Sequence, residues 1–241
     1  MRKVAAQPNG RAAVPRKDRE DKMASKARAA FDESRKDVDR LLEIHGLIGG
    51  PDKGRRYQLG VLNKSAIVLI SAIWEAYCED IASEAIEHIV AESPKSSALS
   101  KEIRKAVAKE LKDDKNELAV WNIADDGWRS VLRSRLKTMQ EKRAWSLNTP
   151  KAAQIRASFA NALGIDDITA EWRWEKMSSA QAQKKLDTYI TLRGEIAHRG
   201  SVKECYKWQV QDFLNHVDRL VGKTGKVVNK HVKAMTGKKL W

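Results

Sequence analysis

The string Arg193-Gly194-Glu195-Ile196-Ala197-His198 sets a permanent cation and a titratable imidazole five positions apart. Such a pair suits phosphodiester chemistry on RNA, which carries its own nucleophile in the 2′-hydroxyl. An imidazole, with an ordinary pKa of about 6.5, can take that proton or return one to the leaving 5′-oxygen, a contribution of about 10²–10⁴-fold. A guanidinium fork suits the non-bridging oxygens on which charge develops. No metal is required.

Spacing alone is weak ground. With 19 Arg and 5 His in 241 residues, about 0.4 such pairs arise by chance, and Arg40-Leu41-Leu42-Glu43-Ile44-His45 is a second one. The earlier pair interrupts an apolar stripe, so Arg40 reads as a solvated helix charge and His45 as a cation near a helix C-terminus. Residues five apart on a helix differ by about 140° around its axis, so the later pair converges on one phosphate only where the helix frays or where two copies meet. Gly194 and Gly200 mark such a helix end.

Other chemistries find no support. His88 lies one turn from Glu84 but has neither an HExxH string nor paired cysteines beside it, so no metal site is expected. Gly222-Lys223-Thr224 lacks the upstream glycine of a phosphate-binding loop, no Gly-x-Ser-x-Gly occurs, and no cofactor is expected. The eight Trp residues serve either as core and interface or as stacking platforms for bases.

The elements that must position these groups are helical. Leu62, Ala66, Leu69, Ile73, Tyr77, Ile81, Ala85 and Ile89 step by three or four, predicting a long helix with one buried face, which Pro94 ends. Ala27, Phe31, Val38, Leu41, Leu42 and Ile44 predict a partner helix before the turn at Gly49-Gly50-Pro51, so the two form a hairpin. Further helices are expected over about 97–114, 126–143, 149–163, 178–197 and 202–221. Thr149-Pro150 is an N-cap pair, Gly164 a stop, and Gly222 the close of the fold. Strand signals are scarce. The fold class is all-α, a single bundle of about six to seven helices with long antiparallel helices.

Net charge is +14 and concentrated at the ends. Residues 1–22 hold seven bases against three acids, and residues 222–241 six lysines and no acid. The expected organisation is a disordered basic arm over 1–22, a helical domain over 23–221 and a basic tail over 222–241. Basic tails attract polyanions without reading sequence, or serve only as solvated ends. Cys78 and Cys205 are expected as thiols in a reducing compartment. The longest apolar run, 66–74, is too short to span a bilayer, so a cytoplasmic protein without membrane contact is expected.

The string from Tyr189 to Gly200, with its Arg193-x4-His198 core and Ile196-Ala197-His198, resembles the signature of the HEPN superfamily. Ser71-Ala72-Ile73-Trp74-Glu75-Ala76-Tyr77 resembles the Trp-Glu helix of its RiboL-PSP type. Asn148-Thr149-Pro150, Leu163-Gly164-Ile165, Asp166-Asp167-Ile168 and Trp172 follow in the family's order, and the resemblance covers roughly residues 25–221. It implies a homodimer whose Arg193–His198 motifs face each other and a metal-independent endoribonuclease acting on single-stranded RNA. Toxin–antitoxin, defence and RNA-processing systems are the implied settings, with an antitoxin protein as a partner. Arg193 and His198 are the implied catalytic pair. Glu75 either pairs with a cation in the bundle or faces the motif helix and fixes Arg193, and the resemblance favours the second role. Glu195 either orients His198 and moves protons or is a solvated charge. Many HEPN motifs carry Asn, Asp or His directly after the Arg, where this chain has Gly194. A non-catalytic helical module that binds RNA or a protein is the alternative reading.

Overall fold

In a computed structural model, the chain is described over residues 25–49, 59–141, 149–199 and 204–241. Among these residues there are seven α-helices and no sheet: α1 (Lys26–Gly49), α2 (Gly60–Glu92), α3 (Lys101–Lys112), α4 (Gly127–Glu141), α5 (Ala152–Leu163), α6 (Ser179–Arg199) and α7 (Lys207–Thr236). Short 3-10 turns cover Ser96–Ala98, Glu117–Ile123 and Ile168–Glu171. The all-α expectation holds. The N-terminal arm 1–22, Asn148, Gly200, the Gly50-Pro51 turn and the expected helix start at 202 lie outside the described residues.

The α1–α2 hairpin forms as the periodicity predicts, and α2 is the axis of the bundle, in contact with α1, α4, α5, α6 and α7. Its burial differs from the expected single face. Leu62 and Leu69 are only half-buried, whereas Ile67, Ile70, Trp74, Cys78 and Ala82 are fully covered, because helices close on α2 from several sides. By length and hydropathy alone α2 is apolar enough to cross a membrane, and half of its most apolar window is buried inside the bundle, while Val61, Ser65, Ala72, Ala76 and Asp80 keep one stripe exposed.

Tertiary contacts finish helix ends that the local sequence leaves open. At the start of α1, Glu84 of α2 accepts hydrogen bonds from the backbone N–H groups of Lys26 at 3.1 Å and Ala27 at 3.0 Å, so the residue weighed as a companion of His88 is a helix cap. At the end of α2, Arg129 of α4 donates to the carbonyls of Val90 and Ser93. The expected Thr149-Pro150 cap is not what starts α5; Lys151 precedes the helix without a side-chain cap, and Asp187 of α6 accepts from the Ala152 N–H at 2.8 Å. Gly164 ends α5 in the left-handed region at φ +67°, where a Cβ would also stand 2.4 Å from the Ser100 hydroxyl.

The C-terminal segment overturns one expectation. Gly222 does not close the fold: α7 runs straight through it to Thr236 and ends at Gly237, with φ +74°. Beyond Gly222, Thr224, Val228, Val232 and Met235 are buried. One face of residues 222–236 is therefore part of the core, because their apolar positions continue the three-four spacing of α7 beneath the lysines. Gly225 is needed where it stands, since a Cβ there would lie 2.9 Å from the Tyr77 hydroxyl, which donates to the Val221 carbonyl at 3.0 Å.

Candidate active site

The motif lies in the last two turns of α6, and the helix does not fray within it. α6 is fixed to α7 one turn earlier. Asp212 accepts from the Lys185 ammonium and from the Tyr189 hydroxyl, both at 2.7 Å, while Tyr189 stacks on Phe213 with centroids 4.5 Å apart. Burial would raise the Asp212 carboxyl, but the hydrogen bonds from Lys185 and Tyr189 outweigh it and hold the group below the usual carboxylate range.

Helical geometry then divides the four candidate residues into two pairs. Arg193 shares the inward side of α6 with Leu186, Tyr189 and Ile196, and is half-buried with its Nε enclosed and without a hydrogen-bond partner among the described residues. Its charge reaches Glu75 of α2, next to the fully buried Trp74. Burial raises the Glu75 carboxyl, Glu79 one turn on raises it further, and Arg193 works in the opposite direction. No direct salt bridge joins the two, so Glu75 is an electrostatic neighbour of Arg193. His198 and Glu195 are exposed, on the opposite side of α6. Glu195 lines an open depression of ≈ 650 Å³ with Lys184, Asp187, Thr191 and Gln209. One chain thus sets Arg193 on the side of Glu75 and leaves Glu195 and His198 on the outer side of α6, without bringing the four together.

The other Arg/His pair has a different environment. Arg40 is exposed and bonds Glu43 at 2.9 Å, a solvated pair as expected. His45 departs from its reading as a helix-end cation: it is buried, at 6% exposure, inside the last turns of α1. Cys78 and Cys205 are both buried free thiols. Residues that the sequence does not single out are Lys185, one turn before Tyr189 on α6, and Asp212 of α7, which carries no local signal; Tyr189 stands out only as the first residue of the motif string.

An all-helical bundle carrying Arg-x4-His at the end of a helix packed against a Trp-Glu helix defines an HEPN-type protein. The model of the RiboL-PSP-HEPN family matches residues 32–229, from within α1 to within α7, and the chain belongs to that family. The HEPN superfamily includes ribonucleases, and its domains are RNA-associated and often dimeric. Comparison with curated proteins and with solved structures found no match.

Proposed function

We propose that this chain is a metal-independent endoribonuclease that cuts single-stranded RNA and works as a homodimer. The observation that carries the reading is the division of the family's motif residues between an inward Arg193–Glu75 pair and an outward His198. An exposed imidazole is free to meet a substrate or a second copy. In a dimer with facing motifs, one His198 takes the proton of the 2′-hydroxyl as that oxygen bonds to phosphorus. The P–O5′ bond then breaks, and the partner chain's equivalent imidazole donates a proton to the 5′-oxygen. The products are a 2′,3′-cyclic phosphate and a 5′-hydroxyl. Arg193 neutralises charge on the non-bridging oxygens, and Glu75 biases the orientation of its guanidinium. A toxin–antitoxin, defence or RNA-processing role in the cytoplasm is part of the proposal, and the free thiols are in keeping with a reducing compartment.

The test is cleavage of single-stranded RNA by purified protein in excess EDTA. Fragments ending in 2′,3′-cyclic phosphate are expected, with a loss of about 10²–10⁴-fold in His198→Ala. Full activity in that variant overturns the assignment. Binding without cleavage supports the second reading, a helical RNA-binding module, which Gly194 in place of the usual polar residue favours.

A further inference from the structure

After Asp218 the chain has no acidic residue, and the bases that follow are not scattered. Arg219, Lys223, Lys226, Lys230 and Lys233 step by four, three, four and three along α7. At 100° per residue they fall within an arc of about 80°, and at 1.5 Å per residue they run about 21 Å along the helix. All are exposed except the half-buried Lys223. None makes an ion pair or side-chain hydrogen bond among the described residues. The contrast with the first half of α7 is sharp: Asp212 takes up Lys185, and Asp218 takes up Arg28 at 2.8 Å and Arg35 at 3.5 Å. Past that point the helix keeps its cations uncompensated.

The near end of this row opens into an aromatic depression. An open basin of ≈ 690 Å³ is lined by Arg173, Trp174, Lys176 and Lys223, with no carboxylate in its lining. The Arg219 guanidinium lies 5.9 Å from the Trp174 ring centroid, which joins the basin to the row. Lys176 holds the left-handed backbone region at φ +60°, in a tight turn closed by hydrogen bonds of 3.0 and 2.9 Å between Trp174 and Met177. Glycine would occupy that position without strain, and the lysine there places a cation in the lining of the basin.

We propose that the outer face of α7 from Arg219 to Lys233, with the Trp174 basin at its near end, is a binding track for single-stranded RNA. The cations follow the phosphates and Trp174 stacks one base. A row of evenly spaced cations ending at a half-buried indole that lines an open basin suits a strand whose bases are unpaired. An anionic membrane fits less well, because the apolar side of α7, Val217, Leu220, Val221, Val228 and Val232, is buried in the core and leaves nothing to insert. Gln181 lines the basin and stands twelve residues before Arg193 on α6, so the track begins about 18 Å from the motif. The choice of RNA as ligand rests on the proposed ribonuclease; the track itself rests on α7.

The experiment is fluorescence anisotropy of a labelled, fully 2′-O-methylated 20-mer RNA, which cannot be cut, titrated with the full chain between 50 and 300 mM KCl. In the triple variant Lys223→Ala/Lys226→Ala/Lys230→Ala the slope of log K against log salt is expected to fall by about 2, with affinity down at least tenfold at the low-salt end. A control triple on α3, Lys101→Ala/Lys105→Ala/Lys109→Ala, removes the same charge from exposed lysines and is expected to change affinity less than twofold. Lys176→Gly is expected to weaken binding while keeping or raising the melting temperature. Trp174→Leu is expected to cost roughly tenfold in affinity with the slope unchanged. The track is overturned if the α7 triple binds within twofold of the parent, or if the α3 control loses as much. It is also overturned if the protein binds phosphatidylserine vesicles at concentrations where it leaves the RNA free. Cleavage in EDTA with an unaffected α7 triple refutes the track and leaves the ribonuclease standing; track-dependent binding without cleavage does the reverse.

Discussion

Trp172 and Thr224 meet at the centre of the molecule, where the indole Nε1–H donates to the threonine hydroxyl at 3.0 Å and both side chains are fully buried. Trp172 also packs edge-on against Trp74, with ring centroids 5.8 Å apart. The bond ties the segment after the 3-10 turn Ile168–Glu171 to α7 and connects both to the Trp-Glu helix. A segment that composition marks as a tail is in this way a neighbour of the residue that carries the family resemblance.

Thr224→Val keeps the shape of the side chain and leaves the Trp172 N–H buried without a partner. The expected cost is about 1–3 kcal/mol. At a sensitivity of about 2–4 °C per kcal/mol for a chain of this size, thermal unfolding followed by circular dichroism shows a clear drop. Thr224→Ser, which keeps the hydroxyl, is expected to lose much less. An unchanged melting temperature in Thr224→Val would show that the bond carries no stability.

Gly194 is the position at which the chain departs from many HEPN motifs, and it lies in the interior of α6. A Cβ built there meets nothing within 4 Å. Gly194→Ala is therefore expected to stabilise the helix by about 0.5–1 kcal/mol through reduced backbone entropy in the unfolded chain. Because the chemistry is assigned to Arg193 and His198, RNA cleavage by Gly194→Ala is expected to stay within threefold of the parent. A tenfold loss would assign the glycine to a close approach between two chains.

The parts of the fold legible in the sequence are those whose signals are local. The α1–α2 hairpin follows from two apolar stripes, and the end of α5 follows from Gly164, because only a left-handed residue closes the helix there. The extent of α7 was hidden by two competing signals: Gly222 looks like a stop, and six lysines look like a solvated end. The apolar steps from Val217 through Val221 and Val228 to Met235 carry the contrary information, and packing decides in their favour. The motif string was readable as a string, but not the direction each side chain takes. That Arg193 turns toward Glu75 while His198 faces out depends on which side of α6 packs on α2, and burial settles that in three dimensions. Helix caps supplied from afar, such as Glu84 at α1 and Asp187 at α5, have no local signature at all.

Buried histidine makes stability depend on pH in a defined window. The His216 Nε2 lies 3.0 Å from the Ala182 carbonyl, which can only accept, so that nitrogen carries the hydrogen; Nδ1 is buried without a hydrogen-bond partner, so nothing there would stabilise a second proton. Burial pushes the imidazole down to about 4; the Ala182 bond opposes this, Lys185 adds to it and Asp212 opposes it. In the unfolded chain the group titrates near its ordinary value of about 6.5. Between those two values the unfolded state holds more protons than the folded one, so stability falls as pH falls from 6.5 to 4. His231, also depressed by burial, acts in the same direction, whereas Glu75, Glu79 and Asp80, raised first by burial, act in the opposite one as they protonate. His216→Leu removes one of these groups while filling a similar volume. Urea midpoints measured at intervals between pH 7 and pH 4 are expected to decline less steeply in the variant, by up to one proton in the slope. Parallel declines in the two proteins would mean that His216 titrates in the folded state much as it does in the unfolded chain.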